Sequence, residues 1–220
     1  MRVYHLTSQK WALEAIKLRR LKVSRFSDLN DPFELLGLEL KTKEEKKAFN
    51  KLKDEINDLI GPICFSKNWD NPVLWSHYGD KHKGICLGFD ILDDWAYEID
   101  YVGERLKDDL EGHIDKMSEK IFGNKLLTTK FDHWRYEEEV RMILNLKDMT
   151  YEKALHFLPF CEGLKLKEVI VGPRCDLKLA NIKNTMSPSD MNVKLIKSRL
   201  AFRSFKVVRN KAFKVFYHNA

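Results

Sequence analysis

Residues 63–90 constrain the fold of this chain more than any other stretch, because two apolar segments there flank a short polar insert. The apolar segments, residues 63–66 and 84–90, are of strand length and are bounded by turn-forming residues. The insert between them is rich in aromatic side chains and histidine. We therefore expect two strands, with the polar side chains of the insert at the edge of a sheet rather than in its core.

The insert itself predicts a short helix. Asn71, or the aspartate before it, can cap the helix, Pro72 fits its first turn, and Gly79 suits its end. His77 and Tyr78 then lie where the helix meets the next loop. They are candidates for hydrogen bonding and stacking in a functional site; the alternative is that aromatic residues at the helix end pack on the core.

Length and composition favour one domain over residues 1–220. The chain is 44% hydrophobic, which supports a core. No run approaches the ~18–20 apolar residues of a membrane helix, and the N-terminal residues resemble a strand rather than a signal peptide. The four cysteines are widely spaced, so a disulfide framework is not expected and a reduced, cytoplasmic setting is.

The chain alternates strands and helices early and is mostly strands later, which predicts an α+β fold in which helical excursions decorate one sheet system. Strands are predicted at residues 2–6, 21–24, 95–102, 138–144 and 168–172, with one or two more near the C-terminus, and longer helices at residues 10–17, 41–59 and 104–122.

Residues 25–34 predict an ordered turn. In Asn30-Asp31-Pro32 the Asx side chains bond nearby backbone groups, and the proline keeps Asp31 out of helical geometry. Apolar residues on both sides anchor the turn. Ordered polar loops of this kind usually position functional groups.

Three adjacent acids, Glu137, Glu138 and Glu139, open the strand that contains Arg141. Alternation puts Glu137, Glu139 and Arg141 on one face and Glu138 on the other. Repulsion and poor strand propensity make this arrangement costly. It indicates either two carboxylates held in a cleft with Arg141 as counter-ion, or, equally well, a loop end that solvates its acids beside an ordinary ion pair.

A metal site is not favoured. Cys64, His77 and His82 have a spacing that resembles half of a zinc finger, but the second cysteine of the pair is missing. Cys86 lies in an apolar strand, where cysteine usually acts as a small hydrophobic residue. The sequence motifs of P-loop proteins, Rossmann dehydrogenases, serine hydrolases and zinc proteases are absent.

The net charge of +6 originates in the C-terminal segment. Residues 191–220 contain eight Lys or Arg and no Asp or Glu, whereas residues 1–190 carry 31 basic and 33 acidic residues. Aromatic residues are interleaved with these charges, as nucleic-acid binding requires. Alternating apolar residues, Val193 with Leu195 and later Phe205 with Val207, favour the simpler interpretation of strands with basic outer faces. Nucleic-acid contact through Arg199, Arg203, Lys206 and Arg209 is the minority hypothesis.

Four motifs, in this order, resemble a large bacterial family catalogued as a domain of unknown function. They are Arg25-Phe26 with Asn30-Asp31-Pro32-Phe33-Glu34, then Cys64-Phe65-Ser66, then Leu74-Trp75-Ser76-His77-Tyr78 with His82-Lys83-Gly84, and Trp134-x-Tyr136-Glu137-x-Glu139-x-Arg141. The resemblance runs from the first strand to about Gly172, and the tail beyond Met191 is not covered by it.

That family is distantly similar to the ADP-ribosyltransferase-like fold. The resemblance implies a split mixed or antiparallel sheet around a central cleft that binds NAD, with helical insertions and no metal. Where such enzymes use a His–Tyr–Glu triad, the matching residues here are His5, Tyr78 and Glu139, and Glu137 resembles the residue that aligns an acceptor. The Asn-Asp-Pro-Phe-Glu turn has no counterpart in the well-known transferases.

The site implied by the resemblance has two parts. Catalytic roles fall to Glu139, Glu137, His77 and Tyr78, and NAD contacts fall to His5, Thr7, Arg25, Asp31, Trp75, Ser76 and His82.

The expected function is ADP-ribosyl transfer from NAD or NAD hydrolysis, in a bacterial toxin or anti-phage defence effector that modifies nucleic acid or protein. Two other classes stay open: an RNA- or DNA-binding protein that uses the same cleft, and a non-catalytic module that binds a cognate partner such as an antitoxin. Nicotinamide release marks the first class, salt-dependent retention on heparin the second, and a stable complex without turnover the third.

Overall fold

The computed structural model describes residues 1–107 and 125–218. In chain order its elements are β1 (Arg2–Thr7), α1 (Gln9–Leu18), β2 (Arg20–Val23), α2 (Lys43–Leu59), β3 (Ile60–Ser66), α3 (Pro72–His77), β4 (Ile85–Ile91), β5 (Tyr97–Glu98), β6 (Asp100–Val102), β7 (Thr129–Phe131), β8 (Glu139–Asn145), β9 (Thr150–Glu152), β10 (Leu155–Pro159), β11 (Leu164–Val171), α4 (Leu179–Lys183), β12 (Val193–Leu200), β13 (Val207–Arg209) and β14 (Phe216–His218). The helix predicted at residues 104–122 lies outside the described residues except for residues 104–107, which are not helical.

Side-chain caps explain where the first three helices begin. Ser8, Thr42 and Asn71 each accept a hydrogen bond from a backbone N–H in the first turn of α1, α2 and α3. Thr42 and Glu45 also bond reciprocally, which satisfies two otherwise unpaired donors of α2.

The main sheet has the strand order β13-β12-β11-β4-β1-β3-β8-β5, and β14 also pairs with β12. Strands β11 and β12 run parallel, and the other neighbours in this sheet are antiparallel. A three-stranded sheet, β2-β10-β9, and the parallel pair β6-β7 lie beside it. The chain is therefore an α+β protein with a mixed sheet, as predicted.

The main sheet is poorly closed between β1 and β3. Strand β1 pairs with β4 along its whole length, from Arg2 to Thr7, but its pairing with β3 is confined to Tyr4 and Ser66. Beyond this pair the His5 ring, rather than a backbone group, bonds the Cys64 carbonyl of β3. Ser24, just after β2, donates to the Pro62 carbonyl further along β3. The two central strands thus separate, and the turn that follows β2 lies beside the gap.

Helices cover both faces of this sheet. Alternate residues of β4 belong to different apolar clusters: Ile85 and Leu87 pack with α1, while Cys86 packs with Trp75 of α3. A third cluster joins α2 to the turn after β2, through Phe49 and Phe26. This arrangement holds the turn and the end of α3 on the same part of the sheet. None of the helices in residues 1–107 and 125–218 has the length and apolarity needed to cross a membrane.

Candidate functional site

A cavity of about 260 Å³ lies where β1 and β3 separate. Its walls come from both strands, from the turn after β2, from Tyr78 at the end of α3, and from the segment around β7 and β8. The polar and charged groups that line it are Tyr4, His5, Lys22, Ser24, Asp28, Asn30, Glu34, Cys64, Ser66, Tyr78, Lys130, Glu137 and Glu139.

One wall of the cavity belongs to a cluster of five charged side chains that are each no more than 6% exposed, and Arg141 is the one member of the five that does not line the cavity. Its carboxylates are Glu34, Glu137 and Glu139, and its cations are Lys130 and Arg141. Charged residues are rarely buried unless they are paired. The alternative prediction, that a loop end exposes its three acids to solvent, therefore holds for Glu138 but not for Glu137 and Glu139, which are buried.

Arg141 connects two of these carboxylates. Its Nε atom lies 2.6 Å from Glu139 Oε1, and its Nη2 atom lies 2.6 Å from Glu34 Oε1. Its Nη1 atom donates to the Leu127 carbonyl at 2.8 Å. Glu139 and Arg141 share a face of β8, as alternation requires, whereas Glu34 is more than 100 positions away in sequence.

Lys130 completes the pairing from β7. Its Nζ atom lies 2.6 Å from Glu137 Oε2 and 2.9 Å from Glu139 Oε2, and 3.6 Å from Glu34 Oε1. Glu137 ends a 3-10 helix, Asp132–Glu137, and Glu138 then has a left-handed backbone with φ of 44°. This reversal turns Glu137 toward the cluster and Glu138 toward solvent.

Glu137 and Glu139, two of the acids that line the cavity, have different protonation behaviour. Burial raises the pKa of Glu139, but Arg141 and Lys130 outweigh burial and lower that pKa to about 2. Burial also raises the pKa of Glu137, and the opposing contacts with Lys130 and Tyr78 are too weak to reverse the shift. Glu139 is therefore a fixed anion at neutral pH, while Glu137 binds a proton more readily than an ordinary glutamate.

Tyr78 joins the end of α3 to Glu137. Its hydroxyl donates to Glu137 Oε1 and accepts from Asn30 Nδ2 at 2.9 Å. Burial, followed by the charge of Glu137, raises the pKa of Tyr78 far above 10, so the hydroxyl keeps its proton. The side chain of Asn71, which caps the start of α3, also donates to the Tyr136 carbonyl at 3.0 Å. The helix is thus anchored to the acidic segment at both ends.

Glu34 leaves one oxygen of the cluster unused. Oε1 is paired with Arg141, but Oε2 is buried and has no hydrogen-bond partner among residues 1–107 and 125–218. Buried carboxylate oxygens are normally bonded, and Glu34 lines the cavity. The oxygen is a ready acceptor for a donor placed in the cavity. With all five groups ionised, the cluster also has one more negative charge than positive charges.

His5 and Thr7 lie on β1 beside this site. His5 lines the cavity, its Nδ1 is 3.0 Å from the Cys64 carbonyl, and burial lowers its pKa. Thr7 instead lines a neighbouring cavity of about 390 Å³. The two cavities share His5, Lys22 and Ser24, so they adjoin along β1 and β2.

His77 does not line the cavity, although it precedes Tyr78. It is exposed, and its ring stacks on Tyr136 with centroids 6.2 Å apart and lies 6.3 Å from the Trp134 ring. Because successive residues at a helix end point in different directions, Tyr78 lines the cavity and His77 does not.

Trp75, Ser76 and His82 lie outside the cavity as well. Trp75 is fully buried between α3 and the sheet, and its Nε1 donates to the Trp69 carbonyl at 2.6 Å. Ser76 Oγ lies 3.1 Å from His82 Nε2. Asp80, Lys81 and His82 have consecutive positive φ angles of 47°, 52° and 71°. These contacts hold the loop that returns the chain to β4.

Arg25 and Asp31 contribute to the turn rather than to the cavity wall. Arg25 Nη1 pairs with Asp58 at 2.9 Å and so ties the turn to α2. Asp31 is buried and accepts from the backbone N–H of Phe33 at 2.9 Å. This Asx turn reverses the chain just before Glu34 and delivers that side chain to Arg141.

The four residues predicted to contact nucleic acid form a separate surface. Arg199 lies on β12 and Arg209 ends β13, while Arg203 and Lys206 lie in the loop between these strands. The Arg199 guanidinium lies 4.9 Å from the ring centroid of Phe202, and Lys206 pairs with Asp70 at 2.6 Å.

Sequence reasoning missed Asn30, Glu34 and Lys130 as site residues. The ordered turn that contains Asn30 and Glu34 was a visible signal, and a search for carboxylates within it would have found Glu34. Lys130 gave no local signal, because it meets Glu137 and Glu139 only through the path of the chain from β7 through the 3-10 helix to β8.

Residues 1–107 and 125–218 contain no group of three or more His, Cys, Asp or Glu side chains suited to hold a metal ion. Comparisons of the chain with protein-family models, curated proteins and solved structures found no match.

Proposed function

We propose that this chain is an NAD-consuming enzyme with an ADP-ribosyltransferase-like fold, acting as a transferase or an NAD glycohydrolase in the cavity between β1 and β3. One observation carries the proposal: an anion fixed by two cations, Glu139, lines a single cavity with His5 from the first strand and Tyr78 from the end of α3. These are the three positions that the sequence resemblance assigns to the His–Tyr–Glu triad.

The chemistry requires a negative charge beside the ribose. When the bond between ribose C1′ and the nicotinamide nitrogen breaks, nicotinamide leaves as a neutral molecule with the bonding electron pair, and C1′ becomes part of an oxocarbenium ion. A preorganised carboxylate stabilises this positive charge. Glu139 suits the role because its pKa of about 2 keeps it ionised. It accepts three hydrogen bonds from Arg141 and Lys130, which hold the carboxylate in place beside the cavity.

Glu137 suits the second half of the reaction. The attacking water or acceptor forms the new bond to C1′ and gives up a proton, and Glu137 accepts it. Burial raises the pKa of Glu137 toward the range in which a general base works best. Tyr78, which donates to Glu137, orients this carboxylate.

Glu34 is a ligand-binding residue in this scheme. Its unpartnered Oε2 accepts from the carboxamide N–H of nicotinamide or from a ribose hydroxyl. The excess negative charge of the cluster also favours the cationic nicotinamide ring of NAD over the neutral product. The unpartnered oxygen and the excess negative charge both strengthen the binding of NAD.

The size of the cavities supports a dinucleotide laid across both. Ligand pockets usually measure ~300–1,000 Å³, and the first cavity, at about 260 Å³, is large enough only for the nicotinamide riboside half. The adjoining cavity of about 390 Å³ is lined by Thr7, Trp11 and Arg20, and accommodates the adenosine half.

Nicotinamide release from NAD tests the proposal directly. We expect wild-type protein to release nicotinamide and Glu139→Gln to be slower by about 10²–10³-fold, the usual loss when one preorganised electrostatic group is removed. Glu138→Gln is the matched control, because it neutralises the exposed acid next to the site and should keep full activity.

Calorimetric titration of wild-type protein with NAD covers the case in which Glu139→Gln fails to fold. The proposal is abandoned if wild-type protein neither releases nicotinamide nor binds NAD at millimolar concentration.

A further inference from the structure

The loop between β12 and β13 exposes two phenylalanines almost completely. Phe202 is 93% exposed and Phe205 is 97% exposed. The loop is nevertheless closed at its base, since Ala201 N–H donates to the Lys206 carbonyl at 2.9 Å. Large apolar side chains held in solvent by an ordered loop indicate a contact surface rather than a core that failed to cover them.

The charges around this loop are mostly uncompensated. Residues 191–218 contain no acidic side chain. Lys206 pairs with Asp70, but Arg203, Arg209, Lys211 and Lys214 form no ion pair with any residue in the described part of the chain. Arg199 places its guanidinium over the Phe202 ring. Exposed cations interleaved with exposed rings complement a polyanion that also has flat aromatic groups.

This loop is connected to the cavity by two short contacts. Val207 N–H donates to the Asp70 carbonyl at 2.8 Å. Asn71 follows Asp70 in the chain, and its side-chain amide donates to the Tyr136 carbonyl at 3.0 Å. Tyr136 directly precedes Glu137 of the cavity wall. A path from the loop to the cavity wall therefore runs through Asp70, Asn71 and Tyr136.

A second group of aromatic side chains lies on that path. The rings of His77, Trp134 and Tyr136 contact one another at centroid distances between 6.0 and 6.3 Å. The Nζ atom of Lys130, which lines the cavity, is 5.1 Å from the Trp134 ring centroid. This group, the aromatic triad, gives the exposed His77 a role that the cavity does not.

We propose that the β12–β13 loop and the aromatic triad bind single-stranded nucleic acid and lead it to the rim of the cavity. Phosphates pair with Arg203 and Arg209. Unstacked bases stack on Phe202, on Phe205 and on the aromatic triad. A duplex cannot use these rings, because its bases already stack on one another. The binding does not depend on NAD chemistry; only the step in which the strand serves as an acceptor rests on the proposed function.

Fluorescence anisotropy with a labelled 16-nucleotide single strand, in the absence of NAD, tests the proposal. Phe202→Ala/Phe205→Ala should weaken binding at least tenfold, because two bases lose their stacking partners, and should leave the salt dependence unchanged, because no charge is removed. Arg203→Ala/Arg209→Ala should reduce the slope of log K against log salt by about 1.4, at about 0.7 per phosphate contact on a single strand.

Matched controls lie elsewhere on the surface. Tyr151→Ala removes a ring that is 65% exposed on β9, and Lys51→Ala removes an exposed charge on α2. Both should bind as wild type does. His77→Ala tests the aromatic triad and should weaken binding of the single strand severalfold.

Three results would overturn the proposal: no binding by wild-type protein, equal losses in the control variants, or a duplex that binds as tightly as the single strand. Displacement of the strand by polyglutamate at equal charge, or tighter binding to vesicles of anionic lipid, would assign the surface to an acidic protein or to a membrane instead. Because this assay contains no NAD, a negative result leaves nicotinamide release as a separate question.

Discussion

Replacing Arg141 with methionine tests whether the charge cluster is as interdependent as its geometry indicates. Arg141 is completely buried and bonds Glu139, Glu34 and the Leu127 carbonyl. Methionine keeps an unbranched, flexible side chain but has no charge and no donor. The variant leaves three buried carboxylates against Lys130 alone.

The magnitude follows from the loss of compensation. Removing one partner of a buried ion pair costs about 3–5 kcal/mol of unfolding free energy, because the other charge stays buried without its partner. With a urea m-value of about 2 kcal/mol per molar, a loss of 4 kcal/mol lowers the unfolding midpoint by about 2 M. The effect should be smaller at pH 5 than at pH 8, since a proton on one carboxyl group can then replace the missing cation.

Urea unfolding followed by the fluorescence of the five tryptophans measures this loss. Arg2→Met is the matched control: Arg2 also pairs with two carboxylates, Asp90 at 2.6 Å and Glu168 at 3.3 Å, but its side chain is one-third exposed, and pairs at exposed sites contribute only about 0–1 kcal/mol each. If Arg141→Met unfolds within 1 kcal/mol of wild type at both pH values, the cluster does not depend on Arg141 and the reasoning is refuted.

Two further predictions concern the same region. The contribution of Glu139 to stability is present above its ordinary pKa near 4.5 and is lost as the pH falls toward the folded-state value of about 2. Lowering the pH from 5 to 2 should therefore reduce the unfolding free energy of wild-type protein by about 3 kcal/mol more than that of Glu139→Gln. Parallel stability curves for the two proteins over this pH range would contradict the prediction. Gly84→Ala should destabilise the protein by about 1–3 kcal/mol in thermal unfolding, because the new Cβ would lie 2.1 Å from the Thr7 carbonyl oxygen, whereas Gly103→Ala, whose nearest atom is 3.8 Å away, should be close to neutral.

Local patterns predicted most of the regular structure. Asn71, one of the two predicted caps, begins α3, and alternation correctly predicted that Val193, Leu195 and Val207 lie in strands. Alternation failed for Phe205, which lies in a loop and is almost fully exposed.

Other elements lacked a local signal. The hairpin of β9 and β10 turns at Lys153 and Ala154, which have φ angles of 50° and 63° in place of the glycine or asparagine that usually marks such a turn. The strand predicted at residues 95–102 is divided between β5 and β6, which pair in different sheets on either side of the buried Ile99.

The sequence alone determined the types of residue available for a site and the short segments that carry them: an ordered turn, a capped helix that ends at Tyr78, and a strand that begins with acids. Tertiary structure alone decided which of these meet. Glu34 comes from a part of the chain distant from Lys130 and Arg141, and burial makes the three charges depend on one another. Tertiary structure also directed Tyr78 inward and His77 outward, because the direction of each side chain at a helix end depends on what the helix packs against.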